Sequence, residues 1–479
     1  MIPPTQPNIR GDNRAMDQVH PPQIQSGTRQ LFLDDELVTS ADNIRRVLHQ
    51  PTKHAANPLL TPEHPWEGQM VLLYGTVLHD PAEDLFKMWY QAFGPETGNV
   101  VCYATSRDGL RWERAPLGVT EVLGSRDNNV VFGVANHPNY IEMHSVVQDD
   151  DDPDPARRYK MTFHCRQGEQ RDYHTATSPD GIHWTARQGP AIRYPENCAD
   201  ISHCIKDPRS GKFVLWARTR CRAAGVEARD PDYIYGRAIA RSESEDFEQW
   251  TQLVTILHVD EEDPVGSDIY TLAAFPYEGI YIGLAQMYYG MKHEGLLNIQ
   301  LACSRDGWGW ERVVDREVFL PCGGVGEWDR YNQSVAGQPV ARGNELWFYY
   351  GGRTCRHSPY EGRDNGPRWG GIGLATLRRD GFCSMESSFD GGCLTTVPLF
   401  LPRGDLHLNL KSDFGSAQVE VLDENGAPIP GAVSLPLRTD CCDATVSFPD
   451  GFTMDSVLGR PVCLRFRLSN ARLFSFWSE

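Results

Sequence analysis

Three acidic residues stand at one repeated place in this chain, and their placing is what could do chemistry. Apolar segments that close on a turn recur along the sequence. Seven residues before the turn, three consecutive segments carry Glu142 (counted from Asp149), Asp200 (from Asp207) and Asp268 (from Phe275). A carboxylate on an apolar strand is costly unless it is solvated, paired or used. Three that converge repel one another and raise at least one pKa. Such a set offers a proton donor and a proton acceptor at neutral pH, which cleavage of a glycosidic bond requires. Asp200 and Asp268 are the expected acid/base pair, with Glu142 tuning them. The competing reading is that each carboxylate caps a loop or holds a structural cation. The first and fifth segments have Leu73 and Gln333 at or near this position.

The neighbours suit a sugar. On period-two spacing His144, Ser202 and Tyr270 fall on the face of the acids. Trp66-Glu67 precedes the first segment and Glu327-Trp328-Asp329 the fifth, so both could add an aromatic platform and further carboxylates. Arg218 and Arg237 either position hydroxyls or make ordinary salt bridges. His54 and His203 read as hydrogen-bonded structural or substrate-positioning residues rather than metal ligands. Metalloprotease, nucleophile-elbow, P-loop and dinucleotide signatures are absent.

These residues need elements to hold them, and the sequence repeats its instructions. Ala104-Thr-Ser-Arg-Asp-Gly-Leu-Arg-Trp112 returns as Ala176-Thr-Ser-Pro-Asp-Gly-Ile-His-Trp184 and as Ala302-Cys-Ser-Arg-Asp-Gly-Trp-Gly-Trp310. A looser copy spans 240–250 and a worn one 375–381. Asp-Gly supplies the positive-φ residue of a tight turn. Each copy follows an apolar strand and an aromatic-rich strand, and an outer strand is expected after the Trp. Four strands per unit and five units describe an all-β fold, a five-bladed β-propeller. From about residue 386 the repeated phrase is gone, and short strands with turns such as Asp423-Glu-Asn-Gly426 describe a small β-sandwich. The expected division is a disordered segment 1–28, a catalytic propeller 29–385 and a sandwich 386–479.

Bulk properties narrow the partners. The net charge of −18 opposes nucleic-acid binding, which needs a basic surface. No apolar run is long enough for a membrane helix. The first residues are Pro-rich and polar and lack the apolar core of a secretion signal, so the expectation is a cytoplasmic protein, or one whose signal is removed. The 13 cysteines are scattered, without paired CxxC spacing, and are read as reduced thiols rather than a zinc site or a disulfide framework.

The repeated Ser-x-Asp-Gly-x-x-Trp phrase resembles the Asp-box of sialidases, a device of architecture rather than of catalysis. With acids on inner strands and a trailing sandwich, the chain resembles the five-bladed glycoside hydrolases: invertases, levansucrases, arabinanases and xylosidases. Leu31-Phe-Leu-Asp-Asp35 and Phe86-Lys-Met-Trp-Tyr90 look most like the invertase branch. The resemblance implies three essential carboxylates, a base or nucleophile, a general acid and a third that orients them. It implies hydrolysis of an O-glycosidic bond, such as a furanoside, without an organic cofactor. The Asn-Asp-Pro-Asn-Gly signature of true invertases is missing, and the first segment lacks an acid in register, so either Glu67 substitutes or the triad has moved. A phosphorylase, a six-bladed sialidase and a non-catalytic carbohydrate-binding propeller are the rivals. The small-molecule or oligosaccharide partner is not named by the sequence.

Overall fold

The computed structural model describes residues 20–94, 96–133, 140–168, 170–193, 200–221, 236–290, 295–357, 368–449 and 451–479. Its described elements are β-strands and four short 3-10 turns, an all-β fold. No described helix is long and apolar enough to cross a membrane. The described residues form two compact units, one within 50–377 and one joining 20–49 to 378–479.

In the first unit the chain makes antiparallel meanders in sequence order. The first runs Val71–Asp80, Leu85–Gly94, Gly98–Ser106, Val130–Gly133. The second runs Tyr140–Gln148, Tyr159–Gln167, Gln170–Ser178, Thr185–Ala186, and the third Ser202–Lys206, Phe213–Cys221, Gly236–Ser244, Val254–Leu257. The fourth begins with Ser267–Tyr277, Ile280–Tyr289 and Leu296–Ser304. A parallel pairing of Leu297 with Asn332 joins it to the fifth, Asn332–Val335, Glu345–Arg353 and Gly370–Arg378. The outer strand of the fifth is Thr52–Lys53, from the beginning of the unit rather than its end.

The repeated phrase builds one turn several times. Asp108 Oδ1 accepts from the N–H groups of Leu110 (2.9 Å) and Arg111 (2.8 Å), and Ser106 Oγ accepts from Gly109 N–H at 2.8 Å. Asp180, Asp246 and Asp306 repeat this pattern. These bonds hold the Asp carboxyls below the ordinary range, Asp180 at about 2. Gly109, Gly181 and Gly307 have φ of 74°, 77° and 76°, while the looser copy places Phe247 there at φ 65°. Phe247 is buried in an apolar cluster with Phe213 and Tyr173, whose contacts offset the unfavourable backbone.

Each turn is gripped by the preceding sheet. Tyr349 OH, in the fifth, donates to Gly109 O of the first at 2.8 Å. Trp89 Nε1, in the first, donates to Gly181 O of the second at 2.7 Å. Arg157 reaches Asp246 O at 2.8 Å, and Arg241 reaches Asp306 O at 3.2 Å. Apolar clusters lie behind these contacts. Trp89 is fully buried with Tyr103, Tyr159 and Phe163, and its truncation to Ala would cost about 3–5 kcal/mol.

The second unit corrects the expected boundaries. Residues 1–19 lie outside the described residues, but residues 23–27 are structured: Ile24 N–H donates to Phe400 O at 2.9 Å and Gly27 N–H to Ser478 O at 3.0 Å. Gln30–Leu31 pairs with Ala471–Ser478, Val38–Asp42 with Gly392–Thr396, and Arg45–Leu48 with Cys383–Ser387. Residues 29–49 therefore belong with the C-terminal strands. These form a six-stranded and a five-stranded sheet that share one apolar core, including Phe32, Leu394, Leu464 and Phe476.

Candidate active site

The three acids do not stand at one common register position. Tyr159, Phe213 and Tyr281 are equivalent, since each pairs with the serine of its turn. Glu142 lies opposite His164, five residues past Tyr159. Asp268 lies opposite Tyr288, seven past Tyr281. Asp200 falls between these levels, since its neighbour Ile201 accepts from Arg218 N–H at 3.1 Å. In the second sheet the cause is a β-bulge, where the ladder slips between Thr162 and His164. In the fourth, Pro276 pairs with Tyr281 as Lys206 pairs with Phe213, so a count from Phe275 starts two residues early, and the slip between Ile269 and Thr271 takes back only one of them. An inserted residue spoils a count made from the following turn and re-aims the side chains beyond it.

The acids nevertheless share neighbours. Asp200 Oδ2 forms an ion pair with Arg218, and Asp200 N–H donates to Tyr173 OH at 3.2 Å. Asp268 receives the Arg237 N–H at 2.9 Å and Arg237 Nη1 at 2.6 Å. Both guanidinium groups lie over the Tyr270 ring, at 5.4 Å for Arg218 and 5.5 Å for Arg237. Arg237 also lies 5.1 Å from the Tyr288 ring. Glu142 Oε2 is 3.9 Å from His164 Nδ1, and Tyr74 feels the charges of both Glu142 and Asp200. His357 Nε2 is hydrogen-bonded with Tyr270 OH at 2.8 Å, and its ring lies 4.8 Å from those of Tyr270 and Tyr288.

Burial separates the charge states. It pushes the Asp268 carboxyl up to about 7, against the pull of the Arg237 N–H and of Arg218 and Arg220. It lowers His164 to about 4, partly offset by Asp200, and holds His357 well below the ordinary range. Tyr270 is raised well above its usual value by burial and by Asp200. Both Asp200 and Asp268 are held in ion pairs, and Asp268 is the one whose pKa burial brings near neutrality, where a carboxyl can donate a proton.

Several expected site residues are engaged elsewhere. Glu67 is completely buried and accepts from Tyr90 OH (2.6 Å), Arg114 (2.9 Å) and the N–H groups of Glu63 and His64. It is a structural anchor, so it does not replace the missing acid of the first sheet. Trp66 stacks on His64 at 4.5 Å and donates Nε1 to Asn129 Oδ1 at 2.8 Å. Asp329 is buried against Lys53 (2.6 Å) and Tyr350 OH (3.0 Å), and Glu327 is exposed. His144 and His203 are each 1% exposed, as Asp268 is, and burial lowers both to about 4, so they stand neutral beside the acids. His54 Nδ1 accepts from Ala56 N–H at 3.2 Å within its turn.

Tyr74, His164, Tyr288, Arg353 and His357 join the cluster without having been expected. A signal existed for one of them. Gln91, His164, Arg218 and Gln286 each stand five residues past the strand residue that pairs with the turn serine, so second-strand alignment exposes a polar ring. Among the described residues the side chains able jointly to hold a metal ion are His407, Asp443 and Glu479, in the other unit; none of the acids here belongs to such a group.

No family model matches the chain. Over 181 residues it is 30% identical to a Psychromonas ingrahamii protein described as "Probable sucrose-6-phosphate hydrolase", covering 37% of this chain and 29% of that protein. The chain thus spans less than a third of that relative's length. A solved structure titled "Glycoside hydrolase" is 12% identical with a TM-score of 0.49, over 71% of this chain and 92% of that one. A glycosyl hydrolase structure from Bacteroides ovatus is 15% identical with a TM-score of 0.47, over 69% and 94%.

Proposed function

We propose that this chain is a glycoside hydrolase that cleaves an O-glycosidic bond by carboxylate acid/base chemistry. Its first unit is read as a five-bladed β-propeller, because turn contacts link the first meander to the second, the second to the third, the third to the fourth and the fifth to the first, and a ladder pairing joins the fourth to the fifth. Its second unit is read as an accessory β-sandwich, two sheets over one core. Asp268 protonates the departing glycosidic oxygen. Asp200, paired with Arg218, serves the anomeric carbon as nucleophile or as base toward water. Glu142 tunes the pair through the shared Tyr74 and His164.

The observation that carries this reading is the pairing of Asp200 and Asp268 with separate arginines over one tyrosine ring. A furanoside is the first substrate class to test, given the likeness to a sucrose-6-phosphate hydrolase over part of the chain. The experiment is a screen of aryl-glycosides and oligosaccharides with Asp200→Asn as control. Turnover by the parent protein that survives unchanged in the variant would refute the assignment.

One observation favours a second reading, a phosphorylase. Arg171, Arg218, Arg220, Arg237 and Arg353 all act electrostatically on members of the cluster, against three acids. Such a surplus suits an incoming phosphate. Turnover that requires inorganic phosphate would select this reading over hydrolysis.

A further inference from the structure

We infer that the C-terminal unit carries a second carbohydrate site, which binds a neutral oligosaccharide without cleaving it. The site is a pocket of about 220 Å³ where strands Cys383–Ser387, Leu406–Lys411 and Ala471–Ser478 end. Two phenylalanines stand on turns beside it. Phe414 lines the pocket and is 80% exposed; Phe389 is 75% exposed. Both turns are tied to the Ser469–Asn470 corner. Asn470 Nδ2 donates to Phe414 O at 3.0 Å, and Ser469 Oγ donates to Phe389 O at 3.3 Å. Asn470 N–H also donates to Ser388 O at 2.8 Å. The rings are therefore held out in water by fixed backbone, an arrangement that gains nothing for folding.

The lining decides the ligand. Glu386 pairs with Arg472 at 3.1 Å, and Lys411 pairs with Asp413 at 3.4 Å. Two acids and two bases cancel, so the pocket suits neither an anionic nor a cationic ligand. They leave donors and acceptors side by side, which matches a hydroxyl group that both gives and takes a hydrogen bond. Ser387 Oγ is buried with no hydrogen-bond partner among the described residues, and it lines the same pocket. A sugar ring meets all three features: its C–H face packs on an aromatic ring while its hydroxyls reach the polar wall. A lipid surface would instead call for an excess of basic residues.

The test is affinity electrophoresis of the full chain in gels containing arabinan, xylan, levan or β-mannan. At least one polysaccharide is expected to retard the protein. The double variant Phe389→Ala, Phe414→Ala should weaken that retardation by roughly tenfold or more. Its thermal midpoint and its rate on a small aryl-glycoside should not change. No retardation by any of the four, or equal retardation of the variant, overturns the proposal. So does a change in sedimentation from dimer to monomer in the variant, which would make the patch a contact between copies. Only the choice of probes rests on the hydrolase reading. The Asp200→Asn protein should still be retarded, so a failure of catalysis and a failure of this site are separately visible.

Discussion

Arg237 holds Asp268 twice, through its own N–H to Oδ1 at 2.9 Å and through Nη1 to Oδ2 at 2.6 Å. Only the second contact is lost when the side chain is shortened. Burial already raises the Asp268 pKa to about 7, and the guanidinium is a charge that favours the ionised form. Arg237→Gln should therefore raise that pKa further. If Asp268 is the proton donor, activity falls as pH rises through about 7, and this alkaline limb should move to higher pH in Arg237→Gln. A pH profile of kcat/KM on an aryl-glycoside reads the shift. An unmoved limb would mean that another group donates the proton.

Asp200 answers to a different measurement. Asp200→Asn keeps the shape of the side chain and its backbone bond to Tyr173 but removes the charge that Arg218 faces. The expected loss is about 10²–10⁴-fold in kcat, the range of a positioned acid or base. The thermal midpoint should change far less than the rate. A rate within twofold of the parent would remove Asp200 from the chemistry.

Glu67 gives the opposite pattern. It is buried, paired with Arg114 and bonded to Tyr90, all within the first meander and its approach. Breaking a buried pair from one side costs about 3–5 kcal/mol. Glu67→Ala should lower the free energy of unfolding by that much while the folded fraction keeps kcat within about twofold. Urea unfolding followed beside initial rates separates the two effects. A large loss of kcat with normal stability would return Glu67 to the site.

The repeat was legible because each copy spells out its own turn: Ser106, Asp108 and Gly109 need only each other, and they are adjacent in sequence. Tyr270, Arg218 and Arg237 were legible for a similar reason, since each sits close in sequence to an acid or on the strand next to one. What was not legible depends on distant partners. Nothing around Gln30 or Arg45 announces that these strands pair with Ala471–Ser478 and Cys383–Ser387. Nor does Thr52-Lys53 show that it completes the fifth meander. The residue inserted between Glu142 and Ser145 leaves no mark in the local pattern, so a count by twos put His144 on the face of Glu142. Glu67 looked functional because the sequence shows its charge but not Arg114, 47 residues away.

Buried histidines add a pH dependence that catalysis does not share. His144, His164 and His203 are each lowered to about 4 by burial. In the unfolded chain they titrate near 6.5, so between these values the unfolded state binds more protons. Their contribution is whole above about 6.5 and is lost as pH falls toward 4. Asp268 acts in the reverse sense, since its raised pKa makes the folded state bind the proton between about 4 and 7. His49 and His357 are lowered by burial as well, so five histidines against one carboxyl predict a net fall in the thermal midpoint from pH 6.5 to pH 4.5. The variant His203→Gln should flatten that fall, because one of these protons is no longer excluded. Melting curves across this window check it. A midpoint that holds steady or rises on acidification would show that these histidines can be charged within the fold.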